Sequence, residues 1–175
     1  MLKDRRFIIL CALIAGAALI RFLPHPPNFV PVAAMALFGG AFFKDKRMAF
    51  LIPVSAMLLS DIFLGFHATM IFVYLSFAAI VGIGLLLRNR ISFLSVTGAS
   101  LGASSLFYLV TNFGSWLVNP MYPRSIEGLA ASYAAGIPFF HYTLAGDLFF
   151  CGVMFGTWAL VARSVPGLTL KPVEL

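Results

Sequence analysis

Long apolar runs separated by short polar clusters dominate this chain. Cutting it at the clusters leaves apolar runs at about 7–23, 28–43, 48–66, 68–87, 91–113 and 139–162. A helix needs about 20 residues to cross a ~30 Å hydrocarbon core, with ~17 to 25 tolerated. Five of the six runs meet that length and the second is slightly short. The pattern predicts an all-α membrane protein, a six-transmembrane-helix bundle, with residues 1–175 forming a single transmembrane domain. No period of 20 to 50 residues repeats, and no linker divides the chain.

Two segments need separate treatment. The stretch SIEGLAASYAAGIPFF places Ile126, Leu129, Tyr133 and Ile137 at helical spacing, with Ser125 as an N-cap and Pro138 as the stop. It is too polar and too short to cross, so an extra outer interfacial helix is expected near 125–138. At the other end, Lys3 to Arg6 followed by FIILCALIAGAALI resembles a signal peptide, with Ala15-Gly16-Ala17 in the position of a cleavage site. The apolar run continues past it to Leu23. The residue before Cys11 is Leu10, where a lipoprotein-type site needs a small side chain. The first run therefore reads as an uncleaved span.

Composition agrees with this pattern. The chain is 61% hydrophobic and 10% charged, with a mean hydropathy of +0.99, against about 25% charged residues in soluble domains. A net charge of +6 would suit nucleic acid, but the basic residues stand in clusters between apolar runs and form no stripe with interleaved aromatics. Their distribution reads as topology. With the N-terminus inside, Lys3, Arg5, Arg6, Lys44, Lys46, Arg47, Arg88, Arg90, Arg163 and Lys171 fall on the inner face, leaving Arg21 and Arg124 outside, a split of 10 to 2. Cytoplasmic loops are enriched in Lys and Arg, so both termini are expected to be cytoplasmic. The inner basic residues read as ordinary solvated groups.

Charges inside the spans are where function is expected, because a charge at the bilayer centre costs several kcal/mol unless paired or hydrated. Arg21 lies 14 residues beyond Phe7, Asp61 13 beyond Met48, and Asp147 16 before Arg163. At ~1.5 Å per residue all three sit ~20 to 24 Å above the inner surface. One layer suggests convergence, with Arg21 neutralising one carboxylate and leaving the other available. His25, His67 and His141 fall at outer span ends, as do Asn28, Asn112, Asn119, Tyr122, Arg124 and Glu127. Donors, acceptors and aromatics gathered at the mouth of an apolar bundle have the composition of a small-molecule site. The candidate substrate-binding residues are Arg21, His25, Asn28, Asp61, His67, Asn112, Asn119, Arg124, His141 and Asp147. Pro24, Pro26, Pro27 and Pro31 keep Leu23 to Val30 out of helix, as a stiff lid over that layer.

Other motifs point to packing. Gly98-x-x-x-Gly102, Gly152-x-x-x-Gly156 and Ala12-x-x-x-Gly16 are read chiefly as close helix contacts within the bundle. Cys11 and Cys151 lack metal-type spacing and read as neither disulfide nor ligands. There is no His-Glu-x-x-His pair and no Gly-x-x-x-x-Gly-Lys-Ser/Thr loop. An intramembrane serine protease needs a Gly-x-Ser-x-Gly turn with a His on a neighbouring helix, and no such stretch is expected here. The chain is read as a non-enzyme with no cofactor and no metal, whose partners are the bilayer and a small-molecule solute, not nucleic acid. Two other readings stand beside it: a metal-ion binding or transport protein using the three His with Asp61, Asp147 and Glu127, and a membrane scaffold or assembly protein without ligand.

The segments PHPPNFVPVAAMALFGGAFF, LLSDIFLGFH, TNFGSWL, YP and GDLFF resemble an uncharacterised family of small bacterial inner-membrane proteins. That family is in turn similar to the S components, the substrate-capture subunits of energy-coupling-factor vitamin transporters. The resemblance implies a multi-pass protein of the inner membrane that captures a vitamin-like compound near its outer face, under the loop joining its first two helices. It also implies docking on a coupling membrane subunit with ATPases through small residues of the first helix, here Ala12 and Gly16. The expected pair there is two alanines four apart, and this chain has glycine at the second position.

Overall fold

The computed structural model describes residues 2–165 and Leu168, with side chains from Arg5 onward. It contains six helices: α1 (Leu2–Ile20), α2 (Val32–Phe42), α3 (Lys46–Leu64), α4 (Met70–Leu86), α5 (Phe93–Val118) and α6 (Ile126–Ser164). The side chain of Lys3, together with Lys171 and Leu175, on which part of the orientation argument rests, lies outside the described residues.

Helix α2 is the centre of the molecule. Its sequence, VAAMALFGGAF, is apolar all round, which is the mark of a helix buried on every side. All eleven residues are buried, and α2 packs against each of the other five helices. At about 16 Å it is too short to cross a ~30 Å core. The span expected over 28–43 is thus a short core helix entered through a loop, because helix begins only after Pro31. Glycine sets how closely its neighbours approach. A Cβ on Gly84 of α4 would stand 2.5 Å from the Leu37 carbonyl oxygen and 3.0 Å from the Gly40 Cα, so the two backbones meet at that crossing. By contrast, a Cβ on Gly16, Gly98, Gly102, Gly152 or Gly156 would meet nothing within 4 Å. Those sequence motifs face away from the bundle, and their reading as internal contacts is corrected.

A helix buried end to end leaves unsatisfied N–H groups at its start and carbonyls at its finish. Both ends of α2 are met by charge of the favourable sign. Arg88 donates to the carbonyls of Gly40 (3.0 Å), Phe43 (2.5 Å) and Lys44 (3.2 Å), and Arg6 donates to the Phe42 carbonyl (3.1 Å). At the start, the Asp147 carboxylate accepts from the Ala33 N–H. The arrangement matches the helix macrodipole, positive at the N-terminus and negative at the C-terminus. Arg6 and Arg88 are therefore half-buried structural groups rather than ordinary solvated ones. Desolvation pulls the Arg88 guanidinium below its usual pKa.

Helix α6 corrects another expectation. Ser125 does cap it, accepting from the Gly128 N–H at 3.2 Å, but the helix runs unbroken through Pro138 to Ser164. No separate helix ends near 138. Proline's fixed φ suits a helix, and what it loses is one backbone donor. The face turned to α5 takes only Tyr133 from the stripe Ile126, Leu129, Tyr133, Ile137 and adds the buried Ser132 and Gly136, while Gly128 packs on Pro123. Ser132 and Gly136 let α5 and α6 lie close as an antiparallel pair, joined by Tyr108 Oη to the Tyr133 carbonyl (2.6 Å) and Ser132 Oγ to the Asn112 carbonyl (2.8 Å).

The surface of the bundle is apolar. Phe63 (79%), Leu86 (79%), Phe93 (89%) and Ile126 (82%) are exposed, a covering that water would not tolerate on this scale and that lipid accepts. Three helices, α3, α5 and α6, are long and apolar enough to cross a membrane, while α2 and α4 are apolar but shorter. This is the architecture of a helical membrane protein.

A polar cleft between the proline loop, α5 and α6

The loop from Arg21 to Pro31 meets the end of α3 through Arg21 and the middle of α6 through Phe29. A β-turn closes it, the Phe29 N–H donating to the Pro26 carbonyl at 3.0 Å. Pro27 and Asn28 occupy its central positions, and Asn28 has φ 62°, the left-handed geometry that the second central residue of a type II turn requires. Phe29 then anchors the loop, its ring 5.8 Å from that of Phe149 and 5.5 Å from that of Phe150. Gly146 makes this seat possible, since a Cβ there would meet the Phe29 Cα at 3.1 Å. The loop is held against α6 by its apolar end while Asn28 remains exposed.

Beneath Asn28 a cavity of about 260 Å³ opens between α5 and α6. Helix α5 contributes Phe107, Tyr108, Thr111 and Asn112, and helix α6 contributes Gly136, Phe139, Phe140 and Thr143. Gly136 is what gives the cavity room, because a Cβ there would collide with the Asn112 carboxamide. Several polar atoms of the wall already spend their hydrogens. Thr111 Oγ1 donates to the Phe107 carbonyl (2.7 Å), Thr143 Oγ1 to the Phe139 carbonyl (3.1 Å), and Asn112 Nδ2 to the Tyr108 carbonyl (2.8 Å).

A second hollow of about 40 Å³ continues the cleft inward, sharing Asn28, Phe107 and Thr143 with the first and ending on Val32, Ala33 and Asp147. Asp147 is 2% exposed. Its Oδ2 accepts from Ser104 Oγ at 2.6 Å, and the Ala33 N–H supplies the other bond. Among the described residues no Lys, Arg or His forms an ion pair with it.

Arg21 and Asp61 form a separate centre. The guanidinium reaches Asp61 Oδ1 at 2.6 Å and also donates to Ser60 Oγ and to the Met57 carbonyl. Tyr74 Oη donates to Asp61 Oδ2 at 2.7 Å. Both oxygens of this 2%-exposed carboxylate are engaged, and the group ties the ends of α1 and α3 to the start of α4. Of the three charges expected to converge, two pair and Asp147 stands apart, with different hydrogen-bond partners.

The remaining sequence candidates are placed as follows. His25 is exposed, its Nδ1 2.9 Å from the Pro26 carbonyl, and His67 is exposed against Thr69 Oγ1 at 2.8 Å. Asn119 caps a turn by accepting from the Met121 N–H at 3.0 Å. Arg124 donates to the Trp116 carbonyl and lies over the Trp116 ring, while His141 is exposed on α6. Only Asn28, Asn112 and Asp147 come together in the cleft. Tyr108, Thr111, Gly136, Phe140 and Thr143 were missed, because a neutral residue inside a long apolar helix carries no signal of its own. The one usable hint was the Gly128, Ser132, Gly136 spacing.

Gly98-Ala99-Ser100-Leu101-Gly102 does have the Gly-x-Ser-x-Gly form. Ser100 lies in the third turn of α5, fully buried beside Cys151, and among the described residues no His or carboxylate hydrogen-bonds its Oγ. A nucleophile needs such a base within hydrogen-bond reach. Among the described residues no three His, Cys, Asp or Glu side chains gather as a metal site, and Cys11 and Cys151 are free thiols.

Fold and cleft together define a helical membrane protein with a polar pocket at one end of its bundle. The chain belongs to the family of unknown function DUF6580, whose model matches residues 2–168. No curated protein and no solved structure matches it.

Proposed function

We propose that this is a protein of the bacterial inner membrane whose chain crosses six times, the second crossing made by the proline loop and α2 together, with both termini cytoplasmic, and that it captures a small polar solute at its outer face. It serves as the substrate-binding subunit of an importer, in the manner of the S components it resembles. The observation that carries the reading is the 260 Å³ cleft with its inward extension to Asp147, roofed by a proline-stiffened loop between α1 and α2. Three features support it. The cleft opens at the end of the bundle that holds only Arg21 and Arg124, opposite the basic loops around Lys44–Arg47 and Arg88–Arg90, which is the outer end by the positive-inside rule. The volume lies near the lower bound of small-molecule pockets, ~300 Å³, and suits a metabolite-sized compound. Ala12 and Gly16 are exposed on α1, with open space beside Gly16, as a docking face for a coupling subunit requires.

Native mass spectrometry of the purified protein tests this directly. A released adduct of metabolite mass, lost or weakened in Asn112→Ala, is the expected result. Release of phospholipid alone from both proteins would refute capture of a solute.

A further inference from the structure

We infer that the solute taken up by this cleft carries a cationic nitrogen, a protonated amine or a charged nitrogen heterocycle, attached to a flat ring. Resting on the cleft as the capture site, this names the chemistry that the site selects.

Charge is the first reason. The cleft ends on the Asp147 carboxylate, which is buried and has no cationic side-chain partner among the described residues. The start of α2 supplies an N–H and about half a positive charge but no full positive charge, so a cation entering the cavity would hold the carboxylate in its charged form and pair with it. Neither basic residue at this end of the bundle is available to cancel it: Arg21 is held by Asp61 and Ser60, and Arg124 by Trp116. A carboxylate or phosphate ligand would find no cation to pair with, and beside an ionised Asp147 it would make a buried like-charge pair, which is strongly unfavourable.

Hydrogen-bond polarity is the second. Because Thr111 and Thr143 donate to their own helices, their oxygens face a ligand as acceptors. The Tyr108 hydroxyl hydrogen is likewise committed, to the Tyr133 carbonyl. The hydroxyls of the wall thus offer a ligand acceptors only, the free donors being amide N–H groups of Asn28 and Asn112, and an ammonium or an N–H edge can use those acceptors. Aromatic walls are the third reason. Phe107, Tyr108, Phe139 and Phe140 line the same space, and such rings favour both stacking with a flat ligand and contact with a cation.

Three probes of nearly one shape separate these causes: benzylammonium, benzyl alcohol and benzoate, measured by calorimetry on the full chain in detergent at neutral pH. Benzylammonium should bind roughly tenfold or more tighter than benzyl alcohol, the margin of a charge-assisted hydrogen bond, and benzoate should not bind. Asp147→Asn, which keeps the shape of the side chain, should bring benzylammonium down to the affinity of benzyl alcohol. Should that variant fail to fold, the charge series on the parent protein decides alone. Equal or tighter binding of benzyl alcohol or benzoate by the parent overturns the cationic ligand while keeping the cleft as a site. Absence of binding by all three up to about 1 mM would overturn the capture reading itself.

Discussion

Arg21→Leu is the most informative perturbation of the bundle, because the sequence left two carboxylates as its partner and the structure chooses one. In the folded protein Arg21 neutralises Asp61, whose side chain is 3% exposed. Removing the guanidinium leaves that carboxylate with Tyr74 alone, and breaking one side of a buried pair costs about 3 to 5 kcal/mol. Asp61→Leu strands a guanidinium whose side chain is 12% exposed. A flexible Arg can turn toward water, so the loss should be smaller, about 1.5 to 3 kcal/mol. With both replaced by leucine the charges vanish together, and the main residual defect is the Tyr74 hydroxyl without its acceptor, about 1 to 3 kcal/mol. The double variant should therefore be more stable than the sum of the singles by about 4 kcal/mol. The same cycle run with Asp147→Asn should be additive within about 0.5 kcal/mol, since Asp147 shares no hydrogen-bond partner with Arg21. Reversible unfolding by sodium dodecyl sulfate in mixed micelles reads each free energy. Additive losses for Arg21 and Asp61, or rescue of Arg21→Leu by Asp147→Asn, would refute the pairing.

Arg88→Met should destabilise the fold by about 3 to 5 kcal/mol, because three carbonyls at the buried end of α2 lose a charged donor; Arg88→Lys should recover only part, since an ammonium cannot span them as the planar fork does. The same unfolding assay checks both, and a Met variant within about 1 kcal/mol of the parent by that measure would refute the capping role. For orientation, a reporter fused after Leu175 should read cytoplasmic and one inserted beside Tyr122 should read external. Finding both on one side would refute the six-span topology.

The class of protein was legible in the sequence. Apolar runs of span length, with charge confined to the clusters between them, have no other stable solution than helices in lipid, since every backbone polar group must be satisfied within its own segment. The proline-bounded break before α2, the Ser125 cap and the presence of buried charge were also legible, because each is a local rule: proline blocks a helix, serine caps one, and an ion in an apolar run demands compensation. Which ion compensates which was not. Counting along the chain puts Arg21, Asp61 and Asp147 in one layer, and only the rotation and neighbours of the helices bring Arg21, just past α1, to Asp61 and leave Asp147 beneath Asn28. Tertiary structure likewise decided that Gly40 and Gly84, rather than the glycines spaced four apart, carry the closest backbone approach. It also turned Arg6 and Arg88 from surface charges into caps of a core helix. Helix periodicity gives a residue's place along one axis, whereas a cleft is formed by the mutual azimuth of several, and that is fixed by how α1, α3, α4, α5 and α6 close around α2.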